Sequence, residues 1–333
     1  MKQSFLGDTG VRISQLVLGT MSFGRDEQTD AAIFGRARDA GVNTFDCADV
    51  YQEGASERAL GRLIKGCRDE VVITTKGYFP TSGDSNARGS SRYHLVRAVE
   101  ASLRRLETDY IDIYFLHRYD DVTSLESTLR AVDDLMRQGK LLYVAASNFS
   151  AWQTVKALGV QTLHGYSRLC CVQPMYNLLK RQAEVEILEM ARAERLGVFS
   201  YSPLAGGLLS GKYGVDDTGA RRAPQRGRIV DVEMYKTRYD SDAYFAIAER
   251  FTTLAHERGV HPATLAIAWV ASHPSITAPI IGARDVAQLE PCLAAADLEL
   301  DAEARAAIGA LSPEPPPATD RNEERTAHNF GSR

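Results

Sequence analysis

Four residues whose side chains can hold or transfer a proton stand at or near the ends of three consecutive apolar, β-branched segments. Asp46 ends VNTFD, Lys76 ends EVVITTK, His117 ends YIDIYFLH, and Tyr51 follows Asp46 by five residues. Singly, each has an ordinary structural role, as a capping carboxylate, a surface cation, a buried histidine or a packing phenol. Together at one edge of a fold, they predict proton transfer to a substrate oxygen by the phenol.

The amine is expected to tune the acidity of the phenol. A tyrosine has an ordinary pKa of about 10, and lowering it to about 7 needs roughly 4 kcal/mol. Two unit charges about 4 Å apart at an effective dielectric of about 20 interact by about that amount. The sequence therefore predicts that Lys76 lowers the pKa of Tyr51 and that Asp46 keeps Lys76 protonated. His117 would then orient a substrate carbonyl by hydrogen bonding.

Eight apolar segments alternate with amphipathic ones, a pattern typical of repeated strand and helix units around a parallel sheet. The predicted strands are residues 14–19, 42–46, 70–76, 110–117, 142–147, 169–173, 198–202 and 278–282. Eight such units favour an α/β fold with a single (β/α)8 barrel, whose functional residues lie at the carboxyl-terminal rim. A doubly wound open sheet is the alternative, but GTMSFG follows the first strand in place of a GxGxxG fingerprint.

Three segments exceed a minimal barrel and predict long loops at the rim and a tail. Residues 77–92 follow the third strand, and residues 204–240, rich in Gly and Arg, follow the seventh and are predicted to form a mobile lid. The barrel domain is expected to span residues 1–312. A polar, proline-containing tail is expected over residues 313–333.

Composition excludes several classes of protein. The chain has 333 residues, 44% hydrophobic and 25% charged, as in soluble globular proteins, and its net charge of -4 gives no bulk attraction for nucleic acid or anionic lipid. Five cysteines without a CxxC pair, and no apolar run near the roughly 18 residues of a membrane span, predict a cytoplasmic protein that contacts no membrane. His256 and His261 lie five residues apart, off one helical face, so no metal site is predicted. The oligomeric state stays open.

The segments that carry these residues resemble the aldo-keto reductase family over nearly the whole chain. The resemblance comprises, in order, LVLGTMSFG, GVNTFDCADVY, EVVITTK, RAVEASLRRLETDYIDIYFLH, ASN, QPMYN, YSPLAGGLLSGKY and IIGARDVAQLE. It implies a single (β/α)8 barrel preceded by a short β-hairpin, which residues 1–14 fit. It also implies NADPH-dependent reduction of a small-molecule aldehyde or ketone. The family's catalytic Asp, Tyr, Lys and His fall on Asp46, Tyr51, Lys76 and His117.

The resemblance also implies a nicotinamide cofactor at the strand ends, with Tyr201 as its stacking aromatic. GGLLSGKY is close to a Walker A loop, but Tyr213 replaces the magnesium-binding Ser or Thr, which disfavours a nucleoside triphosphatase. Its backbone N–H groups and Lys212 would instead hold a pyrophosphate. The predicted cofactor-binding residues are Gly19, Thr20, Met21, Asp46, Ser147, Asn148, Gln173, Tyr201, Ser202, Pro203, Leu204, Gly206, Ser210, Gly211, Lys212, Gly282, Arg284 and Gln288.

Cofactor preference is predicted from the segment after the eighth strand. Arg284 and the N–H groups of a following helix would hold a 2′-phosphate, which favours NADPH. Asp285, however, places a carboxylate near that phosphate, and Cys292 stands where many relatives have an adenine-binding Asn. NADH is therefore kept as the alternative cofactor.

Two other functions stay open from the sequence. The family includes channel β-subunits, so a regulatory or binding subunit that holds NADPH is one alternative. The reverse reaction, as a sugar or alcohol dehydrogenase, is the other. The substrate pocket is expected to include Met21, Tyr78, Phe79 and Tyr119, together with residues of the lid and the tail.

Overall fold

The computed structural model describes residues 1–318, and the chain begins with a β-hairpin of strands β1 (Gln3–Phe5) and β2 (Arg12–Ser14). Leu6 and Ile13 are fully buried and join the apolar cluster inside the barrel. Gly7 turns the chain at φ +51°, and a side chain there would collide with backbone atoms at the amino-terminal ends of barrel strands. The predicted hairpin is confirmed, and it covers that end of the barrel.

Eight parallel strands form a closed barrel. In order around the ring they are β3 (Val17–Gly19), β4 (Thr44–Asp46), β5 (Val72–Gly77), β6 (Ile111–Leu116), β7 (Leu141–Ser147), β8 (Leu169–Gln173), β9 (Gly197–Ser200) and β12 (Ala278–Ile281). Because β12 pairs with β3, the ring has no free edge, so the predicted barrel is confirmed and the open sheet is excluded.

The helices surround the barrel or cover its rim. They are α1 (Glu27–Asp39), α2 (Ala55–Ile64), α3 (Arg92–Leu106), α4 (Leu125–Arg137), α5 (Ala151–His164), α6 (Ile187–Ala193), α7 (Arg228–Asp231), α8 (Glu233–Tyr239), α9 (Asp242–Glu257), α10 (Pro262–Ala271), α11 (Val286–Leu293) and α12 (Ala302–Gly309). Local chemistry sets their ends: Ser150 and Gln153 form a reciprocal capping box at the start of α5.

The period-two alternation of β6 shows how the two halves of the core are built. Ile113 and Phe115 pack inside the barrel, whereas Tyr114 and Leu116 pack against the surrounding helices. Lys76, on the neighbouring strand β5, is also fully buried, with its ammonium 5.9 Å from the centre of the Phe115 ring. A buried cation therefore stands on the apolar interior, at the level where the rim begins.

The long segment after β9 is folded over the carboxyl-terminal rim. It contains a 3-10 helix (Ala205–Ser210), the short antiparallel strands β10 (Gly214–Val215) and β11 (Arg221–Arg222), and helices α7 and α8. We call residues 204–240 the lid. The predicted tail over residues 313–333 lies outside the described residues from 319 onward. Within residues 1–318, no helix has the length and apolar character needed to cross a membrane.

Candidate active site

Neighbouring strands β4 and β5 bring the carboxylate of Asp46 against the ammonium of Lys76. Lys76 Nζ lies 2.7 Å from Asp46 Oδ2 and also donates to the carbonyl oxygen of Cys47 at 2.6 Å. Thr74 Oγ1 and Gln173 Nε2 donate to Asp46 Oδ1 at 2.7 and 2.9 Å. Three hydrogen bonds therefore hold this carboxylate in a fixed orientation toward a buried cation.

Lys76 keeps its proton in this environment. Burial by itself would lower the pKa of Lys76, but the neighbouring Asp46 and Tyr51 outweigh burial and hold the pKa above its usual value. The ammonium lies 5.1 Å from the centre of the Tyr51 ring. A positive charge is therefore present beside the phenol throughout the physiological pH range.

Tyr51 is placed by a short 3-10 turn whose next two residues have left-handed backbone conformations, with φ of 47° and 54°. Burial raises the pKa of Tyr51 to about 12, and Lys76 acts in the opposite direction without overcoming it. The expected lowering of this pKa toward 7 is therefore wrong for this structure. The free energy of burying a phenolate exceeds the attraction of one ammonium that Asp46 already neutralises. As a result, Tyr51 holds a proton that it can donate.

His117 follows β6 and lies beside the phenol. The ring centres of His117 and Tyr51 are 6.2 Å apart with planes at 80°, and Phe79 packs edge-on against the imidazole at 4.9 Å. Burial first, and then the charge of Lys76, lower the pKa of His117 to about 3. The imidazole is therefore neutral at physiological pH, and it can donate one hydrogen bond without carrying a charge.

A cavity of about 790 Å³ opens beside Tyr51 and His117 and extends under the lid. Most of the predicted cofactor residues line it, although they come from six separate parts of the chain. Those on its wall are Gly19, Met21, Asp46, Ser147, Asn148, Gln173, Tyr201, Ser202, Pro203, Leu204, Gly206, Ser210, Lys212, Gly282, Arg284 and Gln288.

Two predicted cofactor residues do not lie on the wall. Thr20 is fully buried, and its hydroxyl donates to the carbonyl oxygen of Asp46 at 3.1 Å and contacts Ser56 Oγ at 3.0 Å. Gly211 lies behind the wall, where its left-handed conformation (φ +83°) ends the 3-10 helix. Both shape the wall through the backbone; neither presents a side chain to the cavity.

The polar side chains at the strand ends, which are predicted to bind the cofactor, are held in place by hydrogen bonds. Asn148 Nδ2 donates to the carbonyl oxygen of His117 at 2.9 Å, and Tyr201 donates its hydroxyl hydrogen to Asn148 Oδ1 at 2.7 Å. Ser147 Oγ donates to the carbonyl oxygen of Gln173 at 3.1 Å. This network fixes the amide and hydroxyl groups at the ends of three strands, on one side of the cavity.

The glycine-containing segment of the lid brings backbone atoms close to the cavity. Gly206 and Gly207 have left-handed conformations, with φ of 69° and 103°. A side chain at Gly206 would come within 2.9 Å of the Tyr235 ring. Lys212 follows at the exposed edge of the wall. The segment thus offers close backbone approach and one cation, which suit a pyrophosphate.

The far end of the cavity is formed just before α11. Arg284 lies on the wall there, whereas Asp285 is the N-cap of the helix. Asp285 Oδ1 accepts from the backbone N–H of Gln288 at 2.8 Å and Oδ2 from its side chain at 3.0 Å. Both carboxylate oxygens therefore accept hydrogen bonds from Gln288, and the opposition of Asp285 to a phosphate stays a prediction. Cys292, buried, lies on the wall as well.

Two of the four residues predicted to line the substrate pocket do line the cavity. Met21 and Phe79 line the cavity. Tyr78 instead packs edge-on against Phe79 at 5.3 Å, and Tyr119 packs against Phe149 at 5.2 Å. Neither tyrosine therefore lines the cavity, and only Tyr78 packs against a residue of its wall.

Several cavity residues were missed by sequence reasoning, and most of them belong to the lid. The length and the Gly and Arg content of residues 204–240 predicted a lid, but no periodicity shows which of its side chains face inward. The missed polar and aromatic residues are Arg118, Tyr213, Arg226, Arg228, Tyr235, Arg238 and His261.

Comparison with known proteins finds one family model and several similar full-length proteins. A sequence model described as the Aldo/keto reductase family matches residues 15–313. The uncharacterized oxidoreductase YrpG of Bacillus subtilis is 38% identical over 95% of this chain and 97% of its own length. The versiconal hemiacetal acetate reductase of Aspergillus parasiticus is 30% identical, covering 91% of this chain and 94% of itself. A probable voltage-gated potassium channel subunit beta of Oryza sativa is 35% identical, with coverage of 90% and 92%.

Proposed function

The chain belongs to the aldo/keto reductase family of oxidoreductases, and from that premise we propose that it reduces an aldehyde or ketone to the alcohol with NADPH. The observation that carries the proposal is the arrangement of Tyr51 and His117 on the cavity wall, with the Lys76–Asp46 ion pair directly behind the phenol. A proton donor and a neutral hydrogen-bond donor thus converge on the place where a carbonyl oxygen would lie.

The residues present fit a nicotinamide dinucleotide. Asn148 and Gln173 offer amide groups at the reacting end, where Tyr201 presents an aromatic ring. Lys212 and Arg284 lie on the same wall and have no carboxylate within 4 Å in the described part of the chain. Such cations suit the pyrophosphate and a 2′-phosphate, which is why NADPH is proposed before NADH.

In the proposed reaction the bound cofactor supplies a hydride to the carbonyl carbon. Tyr51 donates its proton to the carbonyl oxygen as negative charge develops there, and Lys76 stabilises the phenolate that remains. His117 donates a hydrogen bond to the same oxygen and so positions the carbonyl. The phenolate then regains a proton from solvent, which completes the balance of one hydride and one proton per alcohol formed.

The test follows cofactor oxidation by absorbance, with a panel of aldehydes and either NADPH or NADH. Tyr51→Phe is expected to lower kcat by a factor of about 10² to 10⁴, because general-acid catalysis contributes that much. Tyr93→Phe, on the exposed face of α3, is the matched control and should keep the wild-type rate. Cofactor binding, measured by fluorescence, shows whether the Tyr51 variant is folded. Equal slow oxidation by wild type and Tyr51→Phe on every aldehyde would contradict the proposal.

A binding or regulatory role is the second candidate, favoured by the similarity to a protein named as a channel β-subunit. The same experiment separates the two. Tight NADPH binding without Tyr51-dependent turnover would support the regulatory role. Faster oxidation of an alcohol with NADP⁺ than reduction of its aldehyde would instead support a dehydrogenase.

A further inference from the structure

The walls of the cavity carry far more positive than negative charge. Among the described residues, the only acidic side chain on the wall is Asp46, which Lys76 already neutralises. Six cations line the same cavity, and within residues 1–318 none of them has a carboxylate oxygen within 4 Å. These cations are Arg118, Lys212, Arg226, Arg228, Arg238 and Arg284.

Four of the six cations lie either near the glycine-containing segment of the lid or at the far end of the cavity, just before α11. Lys212 follows that segment directly, and Arg228 lies 5.5 Å from the ring of Tyr235, the ring that packs on Gly206. Arg226 and Arg284 both lie near Tyr213. Gly227, the residue after Arg226, is so close that a side chain there would collide with the Tyr213 hydroxyl, and the charge of Arg284 lowers the pKa of Tyr213 against the effect of burial. The phosphates of the cofactor can account for these four charges.

Two cations are left at the reacting end. Arg118 immediately follows His117, whose carbonyl oxygen is bonded to Asn148. Arg238 reaches over the rim from α8, where it donates to Met234 Sδ at 3.3 Å and lies 5.7 Å from the Tyr235 ring. Burial raises the pKa of Tyr201, and the charge of Arg238 acts in the opposite direction. Arg118 thus adjoins His117 in the chain and the charge of Arg238 acts on Tyr201, so both guanidiniums belong to the part of the wall formed by the ends of β6 and β9.

Resting on the proposed reductase function, we propose that the substrate is a carbonyl compound that also carries a carboxylate, which Arg118 and Arg238 bind. A guanidinium binds a carboxylate through two parallel hydrogen bonds, and such charge-assisted bonds are among the strongest in proteins. Met21 and Phe79 on the wall of the same cavity suit an apolar body of the substrate. With a neutral aldehyde, neither cation would have a carboxylate partner among residues 1–318 or on the substrate.

The test compares isosteric aldehydes with NADPH as reductant. The substrates are benzaldehyde, its 2-, 3- and 4-carboxy derivatives, and the neutral methyl ester of the best of these. We expect kcat/KM to be about tenfold or more higher for one carboxylated isomer, chiefly through KM, and the preference to fall with added salt. Arg118→Gln and Arg238→Gln should each lower this preference about threefold to tenfold. Arg130→Gln, exposed on α4 and off the cavity wall, should not change it.

Binding gives a readout that does not depend on turnover. Calorimetric titration of the NADP⁺-saturated protein with the matching carboxylated benzyl alcohol should show binding that Arg118→Gln weakens and Arg130→Gln does not. Equal kcat/KM for charged and neutral aldehydes, or an unchanged preference in both cavity variants, would overturn the carboxylate assignment and leave the reductase function standing. If no aldehyde is reduced but the carboxylated alcohol binds through Arg118, the reductase function fails and the anion site stands.

Discussion

Burial has more influence than neighbouring charge on the pKa values of Tyr51 and His117, whereas neighbouring charge prevails at Lys76. Tyr51 keeps its proton although an ammonium lies 5.1 Å from its ring, and His117 stays neutral at all but very acid pH. Both groups therefore reach the reaction in the protonation state that carbonyl reduction needs, a donating phenol and a neutral imidazole. In the proposed reaction, developing charge on the bound substrate, and not the electrostatic field of the free protein, would draw the proton from Tyr51.

Burial also shifts the pKa of Asp49, in the loop between Asp46 and Tyr51, and this shift has a measurable effect on stability. Its two carboxyl oxygens are buried without a hydrogen-bond partner in the described structure, and burial, followed by the charge of Glu57, raises its pKa from 3.8 to about 7. Between about pH 4 and 7 the unfolded chain has lost this proton while the folded protein keeps it. Stability therefore falls as the pH rises through that window.

We accordingly expect Asp49→Asn to be more stable than wild type by about 4 kcal/mol at pH 8, with the difference disappearing toward pH 4. Urea unfolding at about pH 4.5, 6 and 8 measures this difference. Asp121→Asn, at an exposed rim position, controls for removal of a charge and should show no such trend. A stability difference that is the same at every pH would mean that Asp49 is ionised throughout.

The sequence located the four catalytic candidates but not their energetics. Their order and strand-end positions follow from the alternation of apolar and amphipathic segments and from the family resemblance. Both can be read from the sequence. The pKa of Tyr51 was predicted in the wrong direction because one Coulomb pair was counted without burial, and burial depends on the tertiary structure. Arg118 and Arg238 were missed for a related reason: unpaired cations become significant only when the structure shows that no carboxylate faces them.

At the scale of elements, a buried ion pair joins α2 to α3 behind the site. Glu57 is fully buried, and Arg105 Nε donates to its Oε2 at 2.6 Å while Thr75 Oγ1 donates to its Oε1 at 2.6 Å. Thr75 precedes Lys76 on β5, so the pair links two helices to the strand that carries the Lys76 ammonium. Removing one partner would leave the other charge buried and unpaired.

Arg105→Ala is therefore expected to lower the free energy of unfolding by about 3 to 5 kcal/mol. Arg62→Ala, which breaks the exposed pair between Arg62 and Glu27, should cost less than about 1 kcal/mol. Denaturant unfolding monitored by circular dichroism gives both values. If the two variants lose the same stability, the charge of Glu57 is not held by Arg105 alone.

Strand and helix positions were predictable because apolar periodicity is set by neighbours along the chain. The predicted segment 169–173 coincides with β8, and residues 110–117 exceed β6 by one residue at each end. The inward faces of the lid were not predictable, since β10, β11, α7 and α8 are too short to show a period. The contribution of the lid to the cavity can be seen only in the folded structure, where the lid lies on the barrel.

At the scale of the whole molecule, barrel and lid share one cavity, so a ligand that fills it must contact both. Arg226 and Arg228 of the lid face the same space as Asn148 and Gln173 of the rim. A ligand that binds only the folded protein stabilises it by about 2.7 kcal/mol at a concentration about 100 times Kd. Ligand binding should therefore affect both global stability and the accessibility of the lid.

We expect NADPH to raise Tm progressively with its concentration and to protect the lid against trypsin, because the arginines of the lid are its cleavage sites. NADH should do the same at higher concentration, and Arg284→Gln should reduce the NADPH effect toward that of NADH, since it removes the cation placed for a 2′-phosphate. Differential scanning fluorimetry and timed digestion, with Arg130→Gln as the matched control, measure both effects. A rise in Tm without protection of the lid would show that the cofactor is held by the barrel alone.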